Sequence, residues 1–317
     1  MMKHTLSWIA LILAAILLLT ACSGANNPEE STGGTEAVSS DAETTEETTE
    51  EETTEEVTTE EVTTEAVTDE EFSNVISTDY LSLGDSIANG YGLADLMNER
   101  YFALITKEFG FEKVDSWALD GQRSSDLLKD IEEFVYKDNQ LITVSTGANN
   151  VLGPAMPVLM TLITNPSVGF QQLYSPSFNA QLEAGIAQLA EDLPKIIDKL
   201  IETNPDAEIV LLTVYNPFHG AKYKAMMSGT AVDIDLGTMS ETYIQGLNYI
   251  IRSVAEQKGC LVADVYTAFA ECEEQVINVT VDADGYITTS YDPHPNAKGH
   301  EIIAQLISEV YSAAKEQ

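Results

Sequence analysis

The chain has 317 residues, with 52 acidic against 15 basic side chains, a formal charge of −37 at pH 7 and 44% apolar residues. That balance excludes a nucleic-acid binder, which needs clustered positive charge, and argues against adsorption to anionic lipid heads. Three cysteines are too few for a disulfide framework, and their spacing matches no common zinc pattern.

The first 22 residues, MMKHTLSWIALILAAILLLTAC, hold Lys3, an uncharged apolar run from Leu6 to Leu19, and then small residues. This is the layout of a secretory signal, too short for a permanent membrane span. Leu19-Thr20-Ala21-Cys22 resembles a bacterial lipobox, in which the cysteine is lipidated and becomes the new N-terminus. The alternative is a plain signal anchor with an incidental cysteine. Lipidation of Cys22 implies a membrane partner, the outer face of the cytoplasmic membrane, and two acyl chains for stable anchoring. Residues 23–74 follow as a Thr/Glu repeat with 18 acidic residues between Glu29 and Glu71 and no Lys or Arg. Such a tract buries too little apolar surface to offset its ordering entropy, so the expectation is a disordered tether with an end-to-end distance of roughly 40 Å. An acidic cation-binding tail is the other reading.

Residues 75–317 are expected to form one α/β domain. Strands are expected at 79–83, 113–118, 140–146, 208–214 and 261–264, and helices at about 92–108, 124–136, 177–203, 239–257 and 297–315. The alternation implies a central parallel sheet of five strands with helices on both faces and a ligand crevice at the strands' carboxyl ends. In the third helix, Leu182, Ile186, Leu189, Leu193, Ile196, Ile197 and Leu200 keep a period near 3.6 and are assigned to the core. Pro194 is expected to kink that helix or split it. The apolar, proline-rich segment 151–176 is either a cap over a site or a set of core helices. Cys260 reads as a buried, inert thiol, with a 260–272 bridge as the alternative.

Four strand ends carry the chemistry. Gly84-Asp85-Ser86 follows the first strand, LDGQRSSDLL with Gly121 the second, and STGANN with Asn149 the third. YDPHPNAKGH precedes the last helix. Ester hydrolysis needs a hydroxyl nucleophile, a base to take its proton, a group to orient that base, and donors for the oxyanion. Ser86 supplies the hydroxyl at a glycine-flanked turn, where it gains the positive end of a helix dipole if it opens one. Taken alone, it reads better as a helix-capping serine. Of the histidines, His4 lies in the signal, His219 follows the fourth strand, and His300 is expected as a partly exposed residue of the last helix. His294, between two prolines, is expected in a stiff loop suited to holding a base. The α/β-hydrolase elbow Gly-x-Ser-x-Gly is excluded, because Ala88 stands two residues after Ser86.

These blocks resemble the SGNH (GDSL) hydrolase family across the whole domain. The resemblance implies a flavodoxin-like three-layer α/β/α sandwich and acyl transfer without cofactor or metal. It makes Ser86 the nucleophile and His294 the base, with the Ser86 N–H, Gly121 and Asn149 as oxyanion donors. Asp85 becomes a structural acid. Two positions depart from the family pattern. Asn150 replaces an aspartate, which questions a structural hydrogen bond nearby. The aspartate expected three residues before His294 is Tyr291, with Asp292 only two before. Either Asp292 orients His294 or a backbone carbonyl does. The implied substrates are lipid or short acyl esters, or O-acetyl groups on glycans, with no obligate protein partner. The rival reading is a non-catalytic surface lipoprotein that keeps the scaffold as a binding module.

Overall fold

The computed structural model describes residues 75–316. The expected signal, Cys22 and tether lie outside the described residues. The chain runs β1 (Val75–Ser77), β2 (Tyr80–Gly84), α1 (Ser86–Asn89), α2 (Leu96–Glu99), α3 (Tyr101–Phe109), β3 (Val114–Ala118), α4 (Ser124–Glu133), β4 (Val135–Lys137) and β5 (Leu141–Ser145). It continues with α5 (Ala148–Thr164), α6 (Pro166–Leu173), α7 (Pro176–Thr203), β6 (Glu208–Leu212), β7 (Lys222–Met227), β8 (Thr230–Asp235), α8 (Leu236–Lys258) and β9 (Leu261–Ala263). The last elements are α9 (Val265–Glu271), β10 (Ile277–Val281), β11 (Ile287–Pro295) and α10 (Ala297–Lys315).

The central sheet is parallel throughout, in the order β3-β2-β5-β6-β9. Counted within the sheet this is 2-1-3-4-5, the flavodoxin-like winding. The fold is therefore the expected three-layer α/β/α sandwich. Alternation along the strands sorts the two cores. Leu81 and Leu83 of β2, with Ile142 and Val144 of β5, pack against Leu127 of α4, Leu189 and Ile196 of α7, and Leu247 and Ile251 of α8. Tyr80, Leu141 and Val210 face the other way, onto Tyr101 and Ile105 of α3 and Ile303 and Ile307 of α10. Chain direction reverses its winding between β2 and β5, so the segments that leave these two strands diverge and open a crevice.

Several expectations are corrected. The helix expected at 92–108 is broken. Gly90 and Gly92 adopt left-handed conformations, and Arg100 is extended, which separates α1, α2 and α3. Pro194 neither ends nor splits its helix, and α7 runs unbroken through it. Leu189 and Leu193 on one side of the proline and Ile196, Ile197 and Leu200 on the other are all buried, and this packing outweighs a missing hydrogen bond worth roughly 3 kcal/mol. Segment 151–176 is helical as α5 and α6. Two antiparallel hairpins went unforeseen. In β7–β8 the two-residue connection Ser228-Gly229 has positive φ at both residues, 51° and 85°, which suits strand twist. The second is β10–β11, and it contains His294, so that residue is in a strand rather than a loop. Cys260 and Cys272 are both free, and burial pushes the Cys260 thiol up to about 11.

Candidate active site

The nucleophile candidate is set by backbone constraint. Gly84 closes β2 at φ +143°, and a Cβ there would lie 2.1 Å from the Ser145 carbonyl oxygen. Only glycine lets the ends of β2 and β5 approach this closely. The Asp85 N–H then donates to that carbonyl at 3.2 Å. Asp85, not Ser86, is the helix cap, and its Oδ1 accepts from the Ile87 N–H at 3.1 Å. Ser86 is thereby relieved of capping and stands at the first helical position, where the N–H has no intrahelical acceptor. Because α1 is a single turn, the helix dipole expected behind Ser86 is small. Asp85 is almost fully buried, and loss of solvent pushes its carboxyl up to about 7 despite the backbone N–H it accepts.

Asn149 lies beside it, and Gly121 lies in the exposed loop that follows β3. Asn149 is buried in the first turn of α5 and donates through Nδ2 to the Gln122 carbonyl at 3.2 Å and to Asp85 Oδ2 at 3.4 Å. Gly121, at φ +79°, sits in a turn closed from the Gln122 N–H to the Leu119 carbonyl. That turn is tied to the end of β2 by the Leu119 N–H, which donates to the Gly84 carbonyl at 3.0 Å. A second tie comes from Asn89 Nδ2, which donates to Asp120 at 3.0 Å. The doubt over Asn150 is resolved by its amide. Oδ1 accepts from the Ser124 N–H at 3.0 Å, and Nδ2 donates to Ser124 Oγ and to the Gly185 carbonyl. A carboxylate could accept there but not donate.

His294 approaches from the far end of the chain. Its Nε2 is 2.9 Å from Ser86 Oγ, and its Nδ1 is 2.5 Å from Asp292 Oδ1. The Asp292 side chain turns along the chain, its Oδ1 also accepting from the His294 backbone N–H at 3.1 Å, which is how an aspartate two positions before the histidine still reaches its ring. With Asp292 accepting, the network assigns the proton to Nδ1 and turns the Nε2 lone pair toward Ser86. The backbone is held where Tyr215 donates its hydroxyl to the Pro293 carbonyl at 2.7 Å. Tyr91, the residue between the two left-handed glycines, lays its ring against His294 with centroids 4.4 Å apart.

Of the other histidines, His300 is a correction. It is fully buried rather than partly exposed, its Nδ1 accepts from the Tyr101 N–H at 3.3 Å, and burial pushes its imidazole down to about 4. His219 is exposed and lines a different cavity from the one that holds Ser86. Among the described residues, no group of three or more His, Cys, Asp or Glu side chains could hold a metal.

The crevice between β2 and β5 deepens into a cavity of about 400 Å³ that reaches Ser86, Asn149 and His294. Its walls are mostly apolar, with Val151, Ala155 and Leu159 from α5, Phe178 and Leu182 from α7, and Phe218, Met239 and Ile244 from the 214–218 segment and α8, while Asn179, Thr238, Ser240 and Thr242 add polar groups. Sequence reasoning missed Tyr91, Tyr215 and Asn278, which donates to Asp292. The Gly-Tyr-Gly run was the only available signal for Tyr91, and nothing in the sequence marks the other two.

The sequence pattern of the GDSL-like lipase/acylhydrolase family matches residues 82–302. The chain belongs to that family. It is accordingly a hydrolase of carboxylic esters. The Bacillus subtilis (strain 168) protein YpmR is 24% identical over 246 residues, covering 74% of this chain and 81% of its own. An extracellular lipase from Streptomyces rimosus is similar in structure, with a TM-score of 0.53 at 20% identity, over 74% of this chain and 99% of that one. Phospholipase A1 from Streptomyces albidoflavus NA297 also has a TM-score of 0.53, at 18% identity, over 74% of this chain and all of the other. At these identities the two structures speak to fold.

Proposed function

We propose that the chain is a serine acylhydrolase of fatty acyl esters, with Ser86, His294 and Asp292 as its catalytic residues. His294 takes the Ser86 proton at Nε2 as Oγ attacks the ester carbonyl, while Asp292 steadies the imidazolium that forms. The oxyanion is received by the Ser86 and Gly121 N–H groups and by the Asn149 amide, which exchanges its 3.4 Å contact with Asp85 for it. His294 then returns the proton to the leaving alcohol, and water releases the acyl group by the same proton path in reverse.

The observation that carries this reading is the apolar cavity opening at Ser86. A glycan O-acetyl group would leave most of such a cavity empty, whereas an acyl chain fills it. At roughly 30 Å³ per water-sized group, 400 Å³ has room for on the order of a dozen carbons. Each buried methylene contributes about 0.8 kcal/mol, a factor of about four in kcat/KM. The value of kcat/KM on p-nitrophenyl esters is therefore expected to climb from acetyl through butyryl to octanoyl and decanoyl. A preference for acetyl over every longer chain would sink the fatty-acyl assignment. Labelling by a fluorophosphonate probe, lost in Ser86→Ala, tests the nucleophile separately.

The proposal places this domain outside the cytoplasmic membrane, attached through lipid on Cys22 and spaced by the acidic tract at 23–74. Supporting it are the apolar run, the Leu-Thr-Ala-Cys sequence and the composition of that tract. Incorporation of a palmitate analogue into the wild type and its loss in Cys22→Ala is the expected result. A soluble, unlabelled wild-type protein would overturn it.

A further inference from the structure

The β10–β11 hairpin is irregular at the site. Val279 pairs with Tyr291 and Ile277 with Pro295, so Asn278 alone on β10 spans Asp292, Pro293 and His294 on β11. Bulges of this kind re-aim side chains. Val279 is buried in the satellite core beneath β7–β8, and Ile277 packs against the same core. By the two-residue alternation of a strand, Asn278 projects to the opposite face, toward the bulge.

Asp292 needs a second hold. Its Oδ1 accepts from His294 twice, from Nδ1 at 2.5 Å and from the backbone N–H at 3.1 Å. Its side chain is 33% exposed, so a carboxylate held through one oxygen is free to swing toward water. Its Oδ2 accepts from Asn278 Nδ2 at 3.2 Å. Gly92 roofs this contact, for a Cβ on it would lie 3.6 Å from Asn278 Nδ2 and 3.7 Å from Asp292 Oδ2.

We propose that Asn278 is a positioning residue of the reaction, fixing the Asp292 carboxylate so that Oδ1 stays on His294. This rests on the reading of His294 and Asp292 as catalytic. The hydrogen bond to Oδ2 restrains the carboxylate oxygen that His294 leaves free. The side-chain hydrogen bond of Asn278 goes to Asp292, and it is through Asp292 that Asn278 acts.

The test is steady-state hydrolysis of p-nitrophenyl octanoate by the full chain carrying Asn278→Leu, which keeps the volume and removes the donor. The milder Asn278→Ser serves should the first variant fail to fold by circular dichroism. The expected result is a kcat lower by about tenfold with KM within about twofold, since loss of a hydrogen bond to a charged group reaches the transition state through orientation. In an Asp292→Ala background the same substitution should cost nothing further, a non-additivity that a packing role would not produce. A kcat within about twofold of the parent, or an undiminished loss in the Asp292→Ala background, overturns the proposal. Failure of fluorophosphonate to label Ser86 in the wild type removes the catalytic reading itself, and the outcomes are therefore distinguishable.

Discussion

The site has two halves that are built differently. The half that carries the proposed nucleophile and oxyanion donors sits on short turns leaving β2, β3 and β5, where Gly84 stands against the Ser145 backbone and Gly147, at positive φ, against the Leu189 side chain. The base half sits on an antiparallel hairpin outside the main sheet, held by a bulge, the Tyr215 hydroxyl, the Asn278 amide and the Tyr91 ring. Damage to the glycine scaffold of the first half should break the fold, whereas damage to the side chains that hold the second half should lower the rate of a folded protein.

The largest effects should come from the groups where the halves meet. Ser86→Ala and His294→Ala are each expected to lower kcat by about 10⁴-fold or more while leaving the melting temperature near the parent's. A folded His294→Ala retaining most of its activity would show that the two halves do not work together. Gly84→Ala comes next. A Cβ 2.1 Å from a backbone oxygen cannot be accommodated without moving β5, and the expected loss is about 4 kcal/mol or more, seen as insoluble protein or a collapsed denaturant midpoint.

Asn149→Ala removes an oxyanion donor and should lower kcat by on the order of 100-fold to 1,000-fold with little change in KM. Tyr91→Ala removes an aromatic contact worth about 1 kcal/mol, so kcat should fall by roughly fivefold. Tyr91→Phe should restore it, because the contact is made by the ring. A hydroxyl requirement there would assign Tyr91 a chemical role instead.

The remaining effect is a pH dependence of stability. Asp85 is raised from 3.8 to about 7 by burial, so between these values the folded state holds a proton that the unfolded state has released. Stability contributed at this position therefore falls as pH rises from about 4 to 7. Asp85→Asn keeps the cap without the charge. Its melting temperature relative to the wild type is expected to rise across that window, and a flat difference would show that Asp85 ionises as an ordinary carboxylate.

The first half was legible because its determinants are local. A strand that stops at Gly84-Asp85-Ser86, and another that stops before Gly147-Ala148-Asn149, announce turns whose residue types have few alternatives. The second half was legible only as a histidine between prolines. Nothing local distinguishes DPHP in a loop from DPHP in a bulged strand, since the choice depends on pairing with residues more than ten positions away. Asn278 likewise has no local signature. The cavity shared this fate, because 151–176 reads as apolar helix whether it caps a site or fills a core.

What the sequence determined by itself was the strand and helix alternation, the choice of Ser86, Gly121, Asn149 and His294 as candidates, and the acidic, cysteine-poor character of the chain. Periodicity and backbone sterics act within a few residues and survive without neighbours. Tertiary structure decided that Asp292 reaches the imidazole despite its shifted place, that Asp85 rather than Ser86 caps the helix, that Asn150 bonds in place of an aspartate, and that an apolar cavity ends at Ser86. Each is a contact between segments distant in the chain, formed only when the sheet brings those segments within a few ångströms.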